Sequence, residues 1–153
     1  MCSSDLYEIE IDAPKPVSAF CLFFSADLLP QAWRVRARSA DWLLDHPQKE
    51  RDEILPMVEQ LHDRRIPLGQ VFGRVQQKWK TGALESAALE EAFHDVADAV
   101  AGLALDIEVA CQGLPPTKTS TKREIYRRSA LARDYIHSHW EEPITLARIA
   151  RSE

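Results

Sequence analysis

Six cationic side chains lie within one short stretch near the C-terminal end of this 153-residue sequence. Only Glu124 and Asp134 oppose them there. Clustered cations on a helix suit contact with phosphate groups, because neutralising the phosphates releases condensed counterions. On charge alone, a solvated helix face is the preferred explanation of the cluster. The cluster consists of Lys118, Lys122, Arg123, Arg127, Arg128 and Arg133.

Other side chains that could do chemistry do not combine into a catalytic or metal-binding pattern. His137 and His139 are two residues apart, so on a helix they point in different directions. The remaining histidines have no cysteine or carboxylate at a zinc-like spacing. Cys111 has no basic neighbour close in sequence that would stabilise a thiolate. The histidines are His46, His62, His94, His137 and His139.

Acidic side chains and glycines also fail to indicate an enzyme. Glu90, Glu91, Asp95 and Asp98 are predicted to form the solvated face of a helix, and the five glycines include no phosphate-binding loop. The sequence therefore predicts that the protein is not an enzyme. It predicts no catalytic residues, no cofactor and no metal site.

Composition indicates an ordinary globular protein with two differently charged parts. Hydrophobic residues make up 45% and charged residues 28% of the chain. Residues 1–116 have a net charge of −8, whereas residues 117–153 have a net charge of +3. The second part is therefore better suited to an anionic partner.

The cysteines and apolar runs predict a cytoplasmic location. Cys2, Cys21 and Cys111 are odd in number and widely spaced, which favours a reducing compartment. The longest apolar run, residues 17–26, is shorter than the roughly 20 residues that span a bilayer. The N-terminus lacks the pattern of a secretory signal. We therefore expect a soluble protein that does not enter a membrane.

Residues 7–24 are the strand-like part of an otherwise helical sequence. Tyr7, Ile9 and Ile11 alternate with acidic residues, which is the period of a half-buried strand. A break at residues 13–16 precedes a continuously apolar run at 17–24. The sequence thus predicts a mainly α fold with a short N-terminal β-hairpin.

Residues 25–112 have helical patterns. Residues 25–47 predict one or two short helices, with Pro30 tolerated near the first turn. Residues 51–65 are a further candidate, compromised by Pro56. A third helix should end near Gly82, with one face formed by Leu68, Phe72, Val75 and Trp79. A long amphipathic helix should follow, with the stripe Leu89, Phe93, Val96, Val100, Leu103 and Ile107.

Residues 113–121 are predicted to be a linker, in which Gly113 could take the left-handed C-cap. Thr121 and Glu124 have the spacing of a capping box for the next helix. That helix should stop before Pro143. Thr145 can then cap a last helix.

Residues 127–151, "RRSALARDYIHSHWEEPITLARIAR", resemble the opening of the DNA-binding domain of AraC/XylS-type bacterial transcription regulators. The resemblance lies in a helix resembling "ARDYIHSHW", a turn resembling "EEP" and a capped helix resembling "TLARIA". It implies that residues 122–150 start a helix-turn-helix domain. Arg148 departs from the pattern, since the family often has an acidic residue there.

The resemblance implies roles for the rest of the chain. Residues 7–112 would be the C-terminal part of a sensor and dimerisation region, beginning with the last strands of a cupin-like barrel. DNA, a small-molecule effector and a second copy of the chain would be the partners. The candidates for contact with the DNA backbone are Lys122, Arg123, Arg127 and Arg128.

Two apolar sets also acquire a predicted role. The stripe from Leu89 to Ile107 is a candidate dimer interface, and packing within its own domain is the alternative. The helices of the DNA-binding domain should pack through Leu131, Ile136, Trp140, Ile144, Leu146 and Ile149.

The recognition helix of a helix-turn-helix motif is expected to lie beyond this sequence, so the sequence indicates no base-reading residue. "MCSSDL" at residues 1–6 and "RSE" at 151–153 resemble translated sequencing-adapter DNA, and we expect both ends to be non-native. A stand-alone helical module for protein interaction or dimerisation, without DNA binding, is the alternative function.

Overall fold

A computed structural model describes residues 17, 19–47, 55–115 and 118–151. This part of the chain is mainly helical, as the sequence predicts. None of its helices has the length and apolar character needed to cross a membrane. The helices are α1 (Leu28–Ala37), α2 (Ala40–Asp45), α3 (Pro67–Lys80), α4 (Ser86–Gln112), α5 (Thr119–Ser138) and α6 (Leu146–Ile149).

The 27-residue helix α4 is the centre of the fold, and α1, α3 and α5 all contact it. The predicted long helix is therefore confirmed. Ala97, Ala101 and Ala104 are almost completely buried, and such small side chains let neighbouring helices approach closely. Gly102 lies under the guanidinium group of Arg36, a residue of α1. The same guanidinium group forms an ion pair with Asp98 at 2.8 Å.

The predicted β-hairpin has no counterpart in the described residues. Its first strand lies outside them, and residues 19–25 have no regular secondary structure. Their side chains nevertheless alternate: Phe20, Leu22 and Phe24 face the helices, whereas Phe23 is 77% exposed. No neighbouring strand in the described chain offers backbone partners, so the run packs on helices instead of joining a sheet.

Edge-to-face aromatic contacts hold this extended segment. Phe20 meets Phe72 of α3 with ring centroids 5.4 Å apart, and Phe24 meets Phe93 of α4 at 5.5 Å. The segment packs on the core formed by the buried residues Val75, Ala92, Val96 and Val100.

The helix predictions for residues 25–47 and for the helix that ends near Gly82 are confirmed, whereas the prediction for residues 51–65 is wrong over its described part. The pair α1 and α2 matches the short helices expected over residues 25–47, and α3 ends just before Gly82, which has a φ of 71°. Residues 55–66, by contrast, form no helix. Pro56 has no N–H group to donate, and it is buried in an irregular loop.

The connection between α4 and α5 differs from its prediction in three respects. Gly113 has a φ of −68°, so the left-handed cap is not formed. Helix α5 begins at Thr119, which makes the linker shorter than residues 113–121. Thr121 consequently lies inside the helix and cannot cap it. Glu124 binds arginine side chains instead.

Replacing Gly69 with alanine should lower the free energy of unfolding by about 1–3 kcal/mol. A Cβ atom at this position would lie 2.6 Å from the Cα of Arg64 and from the carbonyl oxygen of Asp63. Backbone atoms would have to move to accommodate it. Urea denaturation measures the change.

Gly73→Ala is the matched control on the same helix. A Cβ there meets nothing within 4 Å, so helix propensity should raise the free energy of unfolding by up to about 1 kcal/mol. Equal effects of the two substitutions would contradict a close approach at Gly69.

Candidate nucleic-acid interface

Helix α5 carries the four cationic residues predicted to contact a DNA backbone. Two of them connect the start of α5 to the end of α4. The Lys122 ammonium group donates to the Gln112 carbonyl at 3.1 Å, and Arg123 pairs with Glu108 at 3.2 Å. These cations therefore help to dock α5 on the helical core.

The other two candidates share one carboxylate. Arg127 and Arg128 donate to Glu124 at 2.9 and 2.7 Å, from the next turn of the same helix. These hydrogen bonds lower the pKa of Glu124 to about 2, so its negative charge persists at any physiological pH. Carboxylates thus partly neutralise the predicted interface.

Such ion pairs do not prevent the cations from binding phosphate. The side chains of Arg123, Arg127 and Arg128 are 43–57% exposed. Exposed pairs of this kind contribute only about 0.2–1 kcal/mol each, because water screens them. A phosphate group could therefore replace a carboxylate as the partner at small cost.

The turn after α5 and the cap of α6 follow the predicted pattern. Helix α5 ends at Ser138, before Pro143, and the Thr145 hydroxyl accepts a hydrogen bond from the Arg148 backbone N–H at 3.3 Å. The Arg148 side chain reaches back to the turn, where it binds Glu142 at 2.8 Å and the Pro143 carbonyl at 3.1 Å. Arg148 thus connects the start of α6 to the turn through an ion pair and a hydrogen bond.

Only three of the six side chains predicted to pack the DNA-binding domain are shielded from solvent. Leu131, Ile144 and Ile149 are half-buried. The other three side chains are largely exposed, at 42% for Ile136, 73% for Trp140 and 85% for Leu146. Within the described residues, the helices α5 and α6 therefore do not enclose an apolar core of their own.

The stripe considered as a dimer interface packs within the chain. Val96, Val100 and Ile107 are buried, and the other members, Leu89, Phe93 and Leu103, are half-buried. Packing within its own domain was the alternative to a dimer interface for this stripe. On the same helix, Val109 is 60% exposed and Leu105 is 36% exposed.

A loop that sequence reasoning missed ties α5 to the core. The Leu61 backbone N–H donates to the Asp134 carboxylate, whose side chain is only 13% exposed. Arg133 donates to the Gln60 side chain at 2.8 Å and to Asp134 at 3.1 Å. Leu61 and Asp134 are 73 residues apart in sequence, as are Gln60 and Arg133, so no local pattern could reveal these two contacts.

His46 and His139 serve as packing and hydrogen-bonding groups. His139 stacks on Tyr135 with ring centroids 4.2 Å apart, and His46 stacks on Trp42 at 4.6 Å. His62 and His137 line a cleft of about 500 Å³ between the loop and α5. Across the described ranges, no three metal-binding side chains are grouped to hold an ion.

The Cys111 thiol is buried at the C-terminal end of α4. Burial and the nearby Glu108 carboxylate raise its pKa, which keeps it protonated at neutral pH. A protonated, buried thiol is a poor nucleophile, so this side chain has the character of a packing residue.

Acidification should weaken the contact between the loop and α5. Partial burial and the nearby Arg133 lower the pKa of His62, against an opposite effect of Asp134. Folding therefore favours the neutral imidazole. Its contribution to stability is complete above the ordinary histidine pKa and is lost as the pH falls through that value and below it.

Urea denaturation across this range should show a smaller loss of stability for His62→Gln than for the unchanged chain. Carboxylates such as Glu124, with a pKa of about 2, lose their contribution only at lower pH. His94→Gln, at an exposed site on α4, is the control. The same pH slope in the two variants would refute the role of His62.

Comparison of the chain with protein-family models finds no match, and comparisons with curated proteins and with solved structures find none either.

Proposed function

We propose that this chain is the junction between the effector-sensing region and the DNA-binding domain of a transcription regulator of the AraC type. In its full-length form, such a protein binds DNA and responds to a small molecule. The observation that supports the proposal best is the arrangement of α5, the turn with Pro143 and the short helix capped by Thr145. The cationic residues of the first of these helices add to it.

The proposal gives the described residues a limited role in DNA binding. In a helix-turn-helix motif, the second helix enters the major groove and contacts base edges. Helix α6 corresponds to the first helix of such a motif, which supports the reading helix. The cations of α5 would contact phosphates, and phosphate contacts position a protein without specifying sequence.

The chain should therefore bind duplex DNA weakly and without sequence preference. We expect a Kd near the weak end of the roughly 10⁻⁴–10⁻⁶ M range of non-specific binding at physiological salt. Fluorescence anisotropy with a promoter-like duplex and a scrambled duplex of equal length measures it. A clear preference for one sequence would mean that the described residues include the reading element.

Glu124→Gln should strengthen DNA binding, because it removes the carboxylate that pairs with Arg127 and Arg128. We expect the Kd to fall by a factor of about 3–10, which corresponds to roughly one additional phosphate contact. The salt dependence of binding should also become steeper.

Glu90→Gln is the matched control for this substitution. Glu90 is exposed on α4, outside the basic segment, and its replacement changes the net charge of the protein equally. An equal gain in affinity for both variants would show that total charge alone drives binding. The proposed interface on α5 would then be refuted.

A helical module for protein interaction is the second candidate. The exposure of Trp140, Leu146 and Val109 favours it, because large apolar side chains on a surface suit contact with another protein. Sedimentation equilibrium tests the case of a homodimer. Two results together would favour this candidate. The chain would self-associate less strongly after Val109→Ser, and the Glu124→Gln variant would show no binding to DNA.

A further inference from the structure

A groove lies between the extended segment at residues 19–25, helix α3 and helix α4. Its volume is about 480 Å³, within the range of roughly 300–1,000 Å³ that is usual for small-molecule sites. It is separate from the basic face of α5, and no residue of α5 lines it.

The walls of the groove are apolar and largely aromatic. Phe20, Leu22 and Phe24 line it from the extended segment, Phe72 from α3 and Val96 from α4. The edge-to-face contacts of Phe20 and Phe24 hold the wall against both helices. Such a surface binds a hydrocarbon body by removing apolar area from water.

The polar residues of the groove carry positive or no charge. His62, Arg64 and Gln76 line it, and no carboxylate does so among the described residues. The neighbouring Asp63 carboxylate is engaged by Arg65 at 2.6 Å. The charge of the site is therefore complementary to an anion that bears an apolar body.

Gly73 keeps the groove open on the side of α3. Gly69 and Gly73 both line it. A Cβ atom at Gly73 would meet nothing within 4 Å, so there is unfilled space directly over the helix backbone. A side chain added there would occupy the space that a ligand needs, without displacing the core.

We propose that this groove binds a small amphipathic carboxylate. The apolar chain lies against Phe20, Leu22 and Phe72, and the carboxylate pairs with the Arg64 guanidinium group at the rim. The binding site does not depend on DNA binding by α5, so either proposal can fail without the other.

Titration calorimetry of the full chain at pH 7.5 tests the ligand class with three eight-carbon probes. Octanoate should bind with a saturable one-to-one isotherm. 1-Octanol and octylamine should bind about five-fold or more weaker, because one lacks the charge and the other reverses it. Equal binding of octanoate and octylamine, or no binding of octanoate, would overturn the proposal.

Two substitutions locate the site. Arg64→Gln should abolish the preference for octanoate over 1-octanol, whereas Arg74→Gln, an exposed residue of α3 outside the groove, should keep it. Gly73→Leu should block all three probes, and Gly73→Ala should weaken them less. Unchanged preference in Arg64→Gln would refute the proposal even if Gly73→Leu proved unstable, since Arg64 is exposed and its loss leaves the core intact.

Discussion

Burial of one side of α4 is the constraint on which the rest of the structure depends. The helix presents buried alanines and valines along most of its length, so α1 and α3 can pack closely on it. The small residues set the distance between the helices, and Val96, Val100 and Ile107 supply the apolar area removed from water. The extended segment, the groove and the docking of α5 all form on this central helix.

Helix α5 docks on the core through some of the same side chains for which we propose contact with DNA. Lys122 and Arg123 bind the end of α4, and the carboxylate of Asp134 holds the loop at Leu61. These contacts orient α5 on the core. A basic surface that also serves as a docking surface has fewer charges to offer an anionic partner.

The loop at residues 60–64 connects the two regions for which we propose ligands. Gln60 and Leu61 contact α5, whereas Arg64 lines the apolar groove, and His62 lines both the groove and the cleft beside α5. The loop has no helix, and its backbone obtains part of its hydrogen bonding from α5.

The sequence by itself determined the helices α3, α4 and α5 and the Thr145 cap, because helical periodicity and capping involve residues within a few positions of one another. Only the tertiary structure decided what the extended run at residues 19–25 packs against and which carboxylates the cations meet. It also decided that Thr121 lies inside α5. Contacts such as Leu61 with Asp134 and Arg36 with Asp98 join residues 73 and 62 positions apart. No local pattern encodes such pairs, since they depend on how the helices pack around α4.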